Sequence, residues 1–502
     1  MMETFQQLWM GFQVAVTPTN LLFAFVGVLA GQLIGVLPGI GPSAGVAILL
    51  PVTFNVNPIS AMIMFTGIYY GAMYGGTITS VLVNIPGESS SVMTCLDGYQ
   101  MARKGRAGAA LGIAAFGSFF AGTIGVVGLM FFAPWLAGAA LSFGPPEYAA
   151  LMVISLILII GLTSRSLAKG VACFALGLFM SVVGVDVVTG QPRFIFGQTD
   201  FLDGIDFVPV AMGVFGIAEV LDSLEEEAID MKNVKLRFKD LLPNLRDWAV
   251  SIGPILRGSA IGFFVGMLPG SGATACSMIS YASERKMSKT PERFGTGVIE
   301  GVAGPEAANN AASVGGLVPL LTLGIPSSAT TAVMLGGLLM FGLRPGPLLF
   351  EQNQEFVWGL IASMYIGNLM LVVLNTVFIP VFVAAVRVQL AFLAPMIITF
   401  TVVGAYSMQN NLFPVWFMLG MGVLGYFMKK LGYPPAPLVL ALVLGNTMES
   451  AFRQSLQMSH GDLGIFFERP LSASIMVLAF AMALFPLVKM GYRKWKDRLG
   501  HA

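Results

Sequence analysis

Four segments of this 502-residue chain set proline and glycine beside hydroxyl and amide side chains in otherwise apolar sequence: Leu37–Gly45, Asn84–Ser91, Leu268–Thr274 with its continuation Gly304–Ser313, and Gly324–Thr331. Proline removes a backbone donor, and glycine permits positive φ, so each segment can interrupt a helix. In lipid an unpaired amide is costly, so a break survives only against protein or a watery cavity. There the freed amides and half-helix N-termini can hold an anion, and the carbonyls at half-helix ends can hold a cation. Ser43, Asn84, Ser89, Ser90 and Ser91 lie in the first two segments; Thr274, Asn309, Asn310, Ser313, Ser327, Ser328, Thr330 and Thr331 lie in the others. Such groups donate to carboxylates without fixing a charge in the membrane. Ser43, Asn84, Ser89, Ser90, Thr274, Asn309, Asn310, Ser327 and Ser328 are therefore the substrate-binding candidates. Gly39, Gly41, Gly270 and Gly272, with the acids Glu88 and Glu306, are the ion-coupling candidates. The competing reading gives the hydroxyls structural work, as caps or back-bonds to helix carbonyls, and pairs the acids with Arg103 or Arg344.

The elements that must position these groups are membrane helices. The chain is 56% hydrophobic and only 11% charged, where soluble domains carry about a quarter. No Asp, Glu, Lys, Arg or His occurs in the 84 residues between Glu3 and Glu88, or in the 41 between Arg387 and Lys429. A crossing needs about 20 apolar residues. Segments 20–37, 58–83, 108–140, 147–163, 168–185, 207–221, 249–268, 328–343, 356–386, 389–406, 411–428, 433–448 and 470–490 are the expected membrane elements. The fold class expected is an all-α polytopic membrane protein with about 10–12 transmembrane helices, some adjacent segments sharing one crossing. Loops rich in Lys and Arg collect in the cytoplasm. This puts Arg103–Arg106, Lys232–Arg246, Arg285–Arg293, Lys429–Lys430 and the C-terminal tail inside, and 186–206 and 344–355 outside. The expected division is a first repeat half, 1–218, a charged cytoplasmic connector, 219–247, and a second half with additional C-terminal helices, 248–502.

The halves resemble each other. Gly35–Gly45 and Gly266–Cys276 share six of eleven residues at an offset of 231. Gly75-Gly76 and Ile85-Pro86 match Gly315-Gly316 and Ile325-Pro326 at an offset of 240. Equivalent loops carry opposite charge signatures: uncharged Phe54–Asn57 corresponds to the basic loop 284–293, and basic 103–106 to the poorly basic 344–355. That is the signature of an inverted repeat, with re-entrant hairpins meeting near the midplane.

Other classes fit poorly. A net charge of +1 gives no reason to expect nucleic acid, and Cys95, Cys173 and Cys276 have no metal or disulfide spacing. The N-terminus lacks a basic region and cleavage site, so no cleaved signal peptide is expected. Gly41-Pro42-Ser43-Ala44-Gly45 matches a hydrolase elbow only as a pattern. It needs a strand-turn-helix and a histidine, and the chain has only His460 and His501. No enzyme activity or organic cofactor is expected, and no metal beyond a coupling sodium ion. A channel would need a continuous conductive path.

The same segments carry a family resemblance: GVLPGIGPSAGVAILLPVTF at 35–54, the run from Tyr69 to Gly108 containing NIPGESSS, GMLPGSGATACSMISYASERKMSK at 266–289, EGVAGPEAANNAA at 300–312, and LGIPSSATTAVMLGGLLMFGLRPGP at 323–347. The chain resembles the large permease subunit, TctA-like, of the tripartite tricarboxylate transporter family. The resemblance implies a multi-pass permease of the bacterial inner membrane with a cytoplasmic C-terminus. Its implied partners are a small four-helix membrane subunit and a periplasmic solute-binding protein. The implied activity is import of a di- or tricarboxylate such as citrate, driven by a sodium or proton gradient rather than ATP. The absence of a P-loop sequence agrees. A stand-alone ion-coupled anion carrier is the alternative.

Overall fold

The computed structural model describes residues 2–37, 39–163, 166–186, 189–225, 241–385 and 390–499. α1 (Met2–Ala15) precedes α2 (Pro18–Val36), α3 (Pro42–Leu49) and α4 (Pro58–Val83). The last three begin on proline, whose missing amide has no helical partner to lose at that position. α5 (Val92–Arg103) and α6 (Ala107–Ala140) follow, then α7 (Pro145–Thr163), α8 (Leu167–Ser181) and a two-stranded ribbon pairing Gly184–Val185 with Pro192–Arg193. α9 (Phe207–Ala211) and α10 (Ala218–Ser223) are joined by a π-helical stretch, Met212–Ile217. The chain continues through α11 (Leu245–Gly266), α12 (Gly272–Met287), α13 (Glu300–Gly315), α14 (Leu317–Leu323), α15 (Ala329–Met340), α16 (Pro347–Gln352) and α17 (Gln354–Val377). It ends with α18 (Ile379–Ala385), α19 (Leu390–Gln409), α20 (Phe413–Lys430), α21 (Pro435–Met458), α22 (Ile465–Glu468) and α23 (Pro470–Leu499). Among the described residues five helices, α2, α6, α11, α17 and α21, are long and apolar enough to cross a membrane by themselves. The chain is an all-α polytopic membrane protein. Residues 226–240 of the expected connector lie outside the described residues, as does Pro38 of the first break.

The repeat is visible in the packing register. Gly27, Gly31 and Gly35 of α2 lie against the backbone of Met64, Ile68 and Ala72 of α4. Gly258, Gly262 and Gly266 of α11 lie against Gly304, Ala308 and Ala312 of α13. The first set maps onto the second by 231 on the glycine helix and by 240 on its partner, the two offsets read from the sequence. A glycine every fourth residue forms a stripe along one helix face, and the missing side chains let the backbones touch. Both numbers rise together along each pair, so α2 runs parallel to α4, and α11 to α13. The chain must therefore turn back between them. α3 and α12 make those returns, and the Pro-Gly segments are the corners.

Every residue of α4 from Ser60 to Leu82 is buried, as is every residue of α13 from Gly301 to Gly315. These two helices, equivalent at the offset of 240, form the core that carries the site. The Gly304–Ser313 stretch, grouped with the second break in the sequence, lies within uninterrupted α13. Its small residues serve close packing rather than a break, and Pro305 sits early in the helix.

Two compact units are distinguished: Met1–Gly138 with Asp206–Pro435, and Ala139–Ile205 with Ala436–Ala502. The first contains both sets of broken segments. In the second, Asp186 pairs with Arg193 at 3.1 Å and Arg453 at 2.9 Å, and Glu449 pairs with the same two arginines at 2.7 and 2.8 Å. Glu147, 1% exposed, is held by Arg469 at 2.6 Å and by the Gly144 amide at 2.9 Å.

Candidate functional site

The breaks use matched backbone geometry. Gly39 and Gly270, equivalent at 231, have φ of 91° and 79°. Asn84 and Gly324, equivalent at 240, end α4 and α14 in the left-handed conformation, with φ, ψ of 62°, 27° and 68°, 23°. After each of these the chain doubles back. Gly87 lies against Gly35 and Gly76, a full two turns before the end of α4. α5 then starts beside the body of α4 rather than beyond its end.

The next equivalent pair, Glu88 and Ser328, forms the caps. The Glu88 carboxylate accepts the Ser90 amide at 2.7 Å and the Ser90 hydroxyl. The Ser328 hydroxyl accepts the Thr331 amide at 3.3 Å, and the Thr331 hydroxyl accepts the Ser328 amide at 2.8 Å, which completes a capping box. Ser90, Ser328 and Thr331 therefore make local caps, and the Ser328 hydroxyl is partly exposed as well. A different acid at one tip and a hydroxyl at the other do the same local work.

The tips of both halves converge. The hydroxyls of Ser89 and Thr274 are 2.8 Å apart. The Gly270 amide donates to the Ser327 carbonyl at 2.9 Å. A methyl placed on Gly272 would meet Ser328 at 3.9 Å, and the Tyr69 hydroxyl of α4 lies 3.3 Å from the Ser328 hydroxyl. α3 packs on α15, and α12 on the 89–91 turn, which is the reciprocal exchange expected of two-fold related halves. Ser89 is exposed, and Ser43, Gly41, Gly272, Thr274 and Ser328 are partly exposed. The starts of α5, α12 and α15 thus meet at the Ser89, Thr274 and Ser328 hydroxyls, while α3 packs on α15. Asn84 is the C-cap of α4.

Glu306, Asn309 and Asn310 are buried on α13, away from that line. Glu306 accepts from the Thr77 hydroxyl at 2.7 Å, the Asn309 amide at 3.1 Å and the Thr94 hydroxyl. Asn310 donates to Ser118 at 2.8 Å and to the Asn309 side-chain oxygen at 2.7 Å. Tyr74 donates to Asn368 at 2.8 Å, and Gln32 and Asn375 exchange two bonds of 2.8 Å. A cavity of about 10 Å³ lined by Tyr74, Thr77, Ser118 and Asn375 has room for one water.

Sequence reasoning missed Tyr69, Thr77 and Thr94, which look like ordinary members of apolar runs. It also missed Asp97 of α5, which carries the signal that marked Glu88 and Glu306, an acid among apolar residues, but lies outside the Pro-Gly segments. Asp97 is 0% exposed. It accepts from the Tyr281 hydroxyl at 2.9 Å and from the amides of Gly295, Gly297 and Val298 at 3.0, 2.7 and 2.9 Å. It ties α5 of the first half to the loop entering α13 of the second, beside a bond of 2.5 Å from Lys104 to the Thr296 carbonyl. Elsewhere in this unit a cleft of about 1010 Å³ opens between the α1–α2 turn, the start of α4 and residues 351–356. Ser43 lies in the first turn of α3, and no strand adjoins it among the described residues, so the hydrolase-elbow geometry is not formed.

No solved structure matches this chain. A curated relative from Agrobacterium vitis, an uncharacterized 52.8 kDa protein in the TAR-I ttuC' 3' region, is 46% identical over 492 residues, 97% of this chain and 98% of that protein. A second, an uncharacterized protein in the TAR-II ttuC' 3' region of the same organism, is 42% identical over 231 residues, 45% of this chain and 96% of that protein. The family described as the tripartite tricarboxylate transporter TctA family matches residues 21–440, a range that holds all four broken segments and both buried core helices. The chain belongs to the tripartite tricarboxylate transporter TctA family, a family of transporter components.

Proposed function

We propose that this protein is the permease subunit of a binding-protein-dependent secondary transporter that imports an organic carboxylate, a di- or tricarboxylate such as citrate. The observation that carries the reading is the convergence of three helix N-termini, from both halves, on Ser89, Thr274 and Ser328, with Ser43 at the start of α3 as the residue equivalent to Thr274 at the offset of 231. No Lys or Arg lies in the broken segments. Affinity for an anion then comes from hydroxyls, amides and the positive ends of half-helices. Such a site holds a carboxylate without the salt bridge that would slow its release.

Alternating access is the proposed mechanism. The matched registers and the opposite loop charges support an inverted pair of halves, so two equivalent arrangements can expose the same tips to opposite sides. The carbonyls around Gly39, Gly41, Gly270 and Gly272 and the acids Glu88 and Glu306 are the proposed coupling groups for a sodium or proton gradient. A periplasmic solute-binding protein delivers substrate, a small four-helix membrane subunit accompanies the permease, and the C-terminus lies in the cytoplasm of a bacterial inner-membrane system.

The test is uptake of a panel of labelled di- and tricarboxylates by proteoliposomes, with and without the binding protein. The expected result is accumulation that needs both the binding protein and a cation gradient. Uptake that persists after the sodium and proton gradients are collapsed would sink the coupling. Accumulation without the binding protein would identify a stand-alone carrier.

A further inference from the structure

Glu306 is a buried carboxyl with an unusual set of neighbours. It is 0% exposed, and among the described residues it makes no ion pair. Its partners, Thr77 of α4, Thr94 of α5 and Asn309 of α13, are all uncharged. A carboxylate without a countercharge at this depth is expensive, whereas a carboxylic acid is not. Either threonine hydroxyl can turn to accept the acid proton, because a hydroxyl both donates and accepts.

The surroundings favour a proton over a metal cation. A sodium ion needs several converging oxygen acceptors. Here the Asn309 oxygen is taken by the Asn310 amide at 2.7 Å, which turns its nitrogen toward Glu306. Among the described residues, the titratable groups that face this stretch of α13 from α4, α5 and the loop between them are Tyr74, Cys95, Asp97 and Glu88, none of them a cation. On α11 and α12 the charges serve each other: Arg257 pairs with Glu284 at 2.6 Å. α6 contributes Ser118, whose hydroxyl donates to the Glu306 carbonyl at 3.2 Å.

Two further observations tie this carboxyl to the moving parts. The residue equivalent to Glu306 in the first half is 306 − 240 = 66, and Thr66 only back-bonds to Met62 and Ile63 at 3.0 and 2.9 Å. The acid is therefore present in one repeat alone, as Glu88 is at the tips, where its equivalent is Ser328. Thr94 belongs to α5, which begins one residue after the turn whose Ser89 touches Thr274 at 2.8 Å. A movement of that tip that carried α5 with it would withdraw Thr94 from the carboxyl, and would so couple the affinity for a proton to the position of the turn.

We propose that Glu306 is the proton-binding site of the transport cycle, loaded and unloaded as α5 carries Thr94 toward and away from it. This rests on the carboxylate-transport reading and selects the proton among the coupling ions. The experiment uses the full chain with its binding protein and small subunit in vesicles holding a pH-sensitive dye. Sodium is equal on both sides and the membrane potential is clamped at zero. The carboxylate of the panel that exchanges best serves as probe. Wild-type protein is expected to acidify the lumen as substrate enters. At zero membrane potential each proton carried with the substrate supports about tenfold accumulation per unit of pH gradient. Glu306→Gln is expected to abolish that accumulation, and its residual exchange should no longer vary with pH. Thr94→Val should shift the pH of half-maximal exchange, which a merely structural Thr94 would not do. Substrate entry by wild-type protein without lumenal acidification overturns the proposal even if the glutamine variant fails to fold, as does pH-driven accumulation by Glu306→Gln. Absence of carboxylate exchange by wild type would instead overturn the underlying function.

Discussion

Replacing Asp97 with alanine removes the acceptor for four donors at once: the Tyr281 hydroxyl and the amides of Gly295, Gly297 and Val298. A hydrogen bond to a charged group contributes about 1.5–3 kcal/mol. About 1.4 kcal/mol corresponds to a factor of ten, so each amide should exchange its hydrogen roughly ten- to a hundredfold faster in Asp97→Ala. Breaking the cluster as a whole should cost about 3–5 kcal/mol, less than the sum of its bonds, because water can enter beside the loop. Asp97→Asn keeps one oxygen facing the amides, and the Tyr281 hydroxyl can turn to accept from its nitrogen. Its exchange should rise by less than about tenfold. The assay is hydrogen–deuterium exchange by mass spectrometry on peptides covering 293–299, with peptides from α21 as reference. Unchanged exchange in Asp97→Ala would refute the assignment of these amides to the carboxylate. Equal effects of alanine and asparagine would refute the argument from the retained oxygen.

Other outcomes follow from the same structure. Gly31→Val would drive its first carbon into the Ile68 and Gly67 carbonyl oxygens, at 2.5 and 2.9 Å, and should lower thermal stability in detergent by about 1–3 kcal/mol, whereas Gly138→Ala meets nothing within 4 Å and should be neutral. Arg469→Ala leaves buried Glu147 without its cation and should destabilise by about 3–5 kcal/mol, with partial recovery in Arg469→Ala combined with Glu147→Gln, read by thermal unfolding. Near the α20 end, burial pushes the Asp222 carboxyl up, but Lys429 and Lys430 outweigh it and hold it below the usual carboxylate range. A lowered folded value means that this contribution is present above the ordinary carboxyl range, near pH 4. It should be lost as pH falls through and below that range, and Asp222→Asn should flatten the acid limb of a stability–pH curve.

The long spans were legible because they are apolar along their whole length, whether inside the protein, as α4 is, or partly at its surface, as α6 is. Expected 58–83 and 108–140 nearly coincide with α4 and α6. α5, α12 and α13 were not read as membrane helices. The sequence of α12, GATACSMISYASERKM, and the small, amide-rich α13 lack hydropathy because protein rather than lipid surrounds much of them. The two offsets were legible as short identities, and they reappear as the register of two helix pairs because the same glycine contacts recur in each half. Hydroxyls on the breaks were found because proline and glycine mark the corners. The partners of Glu306 were not, since Thr77 and Thr94 approach it from 229 and 212 residues away in sequence. Asn309 and Asn310 adjoin a conspicuous motif, yet the turn of α13 directs them into the core rather than toward the tips.

In the proposed cycle the tips of the two halves meet around the substrate and part for transport. Ser89 and Thr274 put hydroxyl oxygens 2.8 Å apart, so cysteines at these positions bring two sulfurs within reach of a bond of about 2.05 Å. The direct measurement is carboxylate uptake by Ser89→Cys/Thr274→Cys protein, made in a background where Cys95, Cys173 and Cys276 are alanine, before and after oxidation. Cross-linking is expected to form readily, to stop uptake, and to be reversed with full activity by a reductant. Undiminished uptake by quantitatively cross-linked protein would contradict the account.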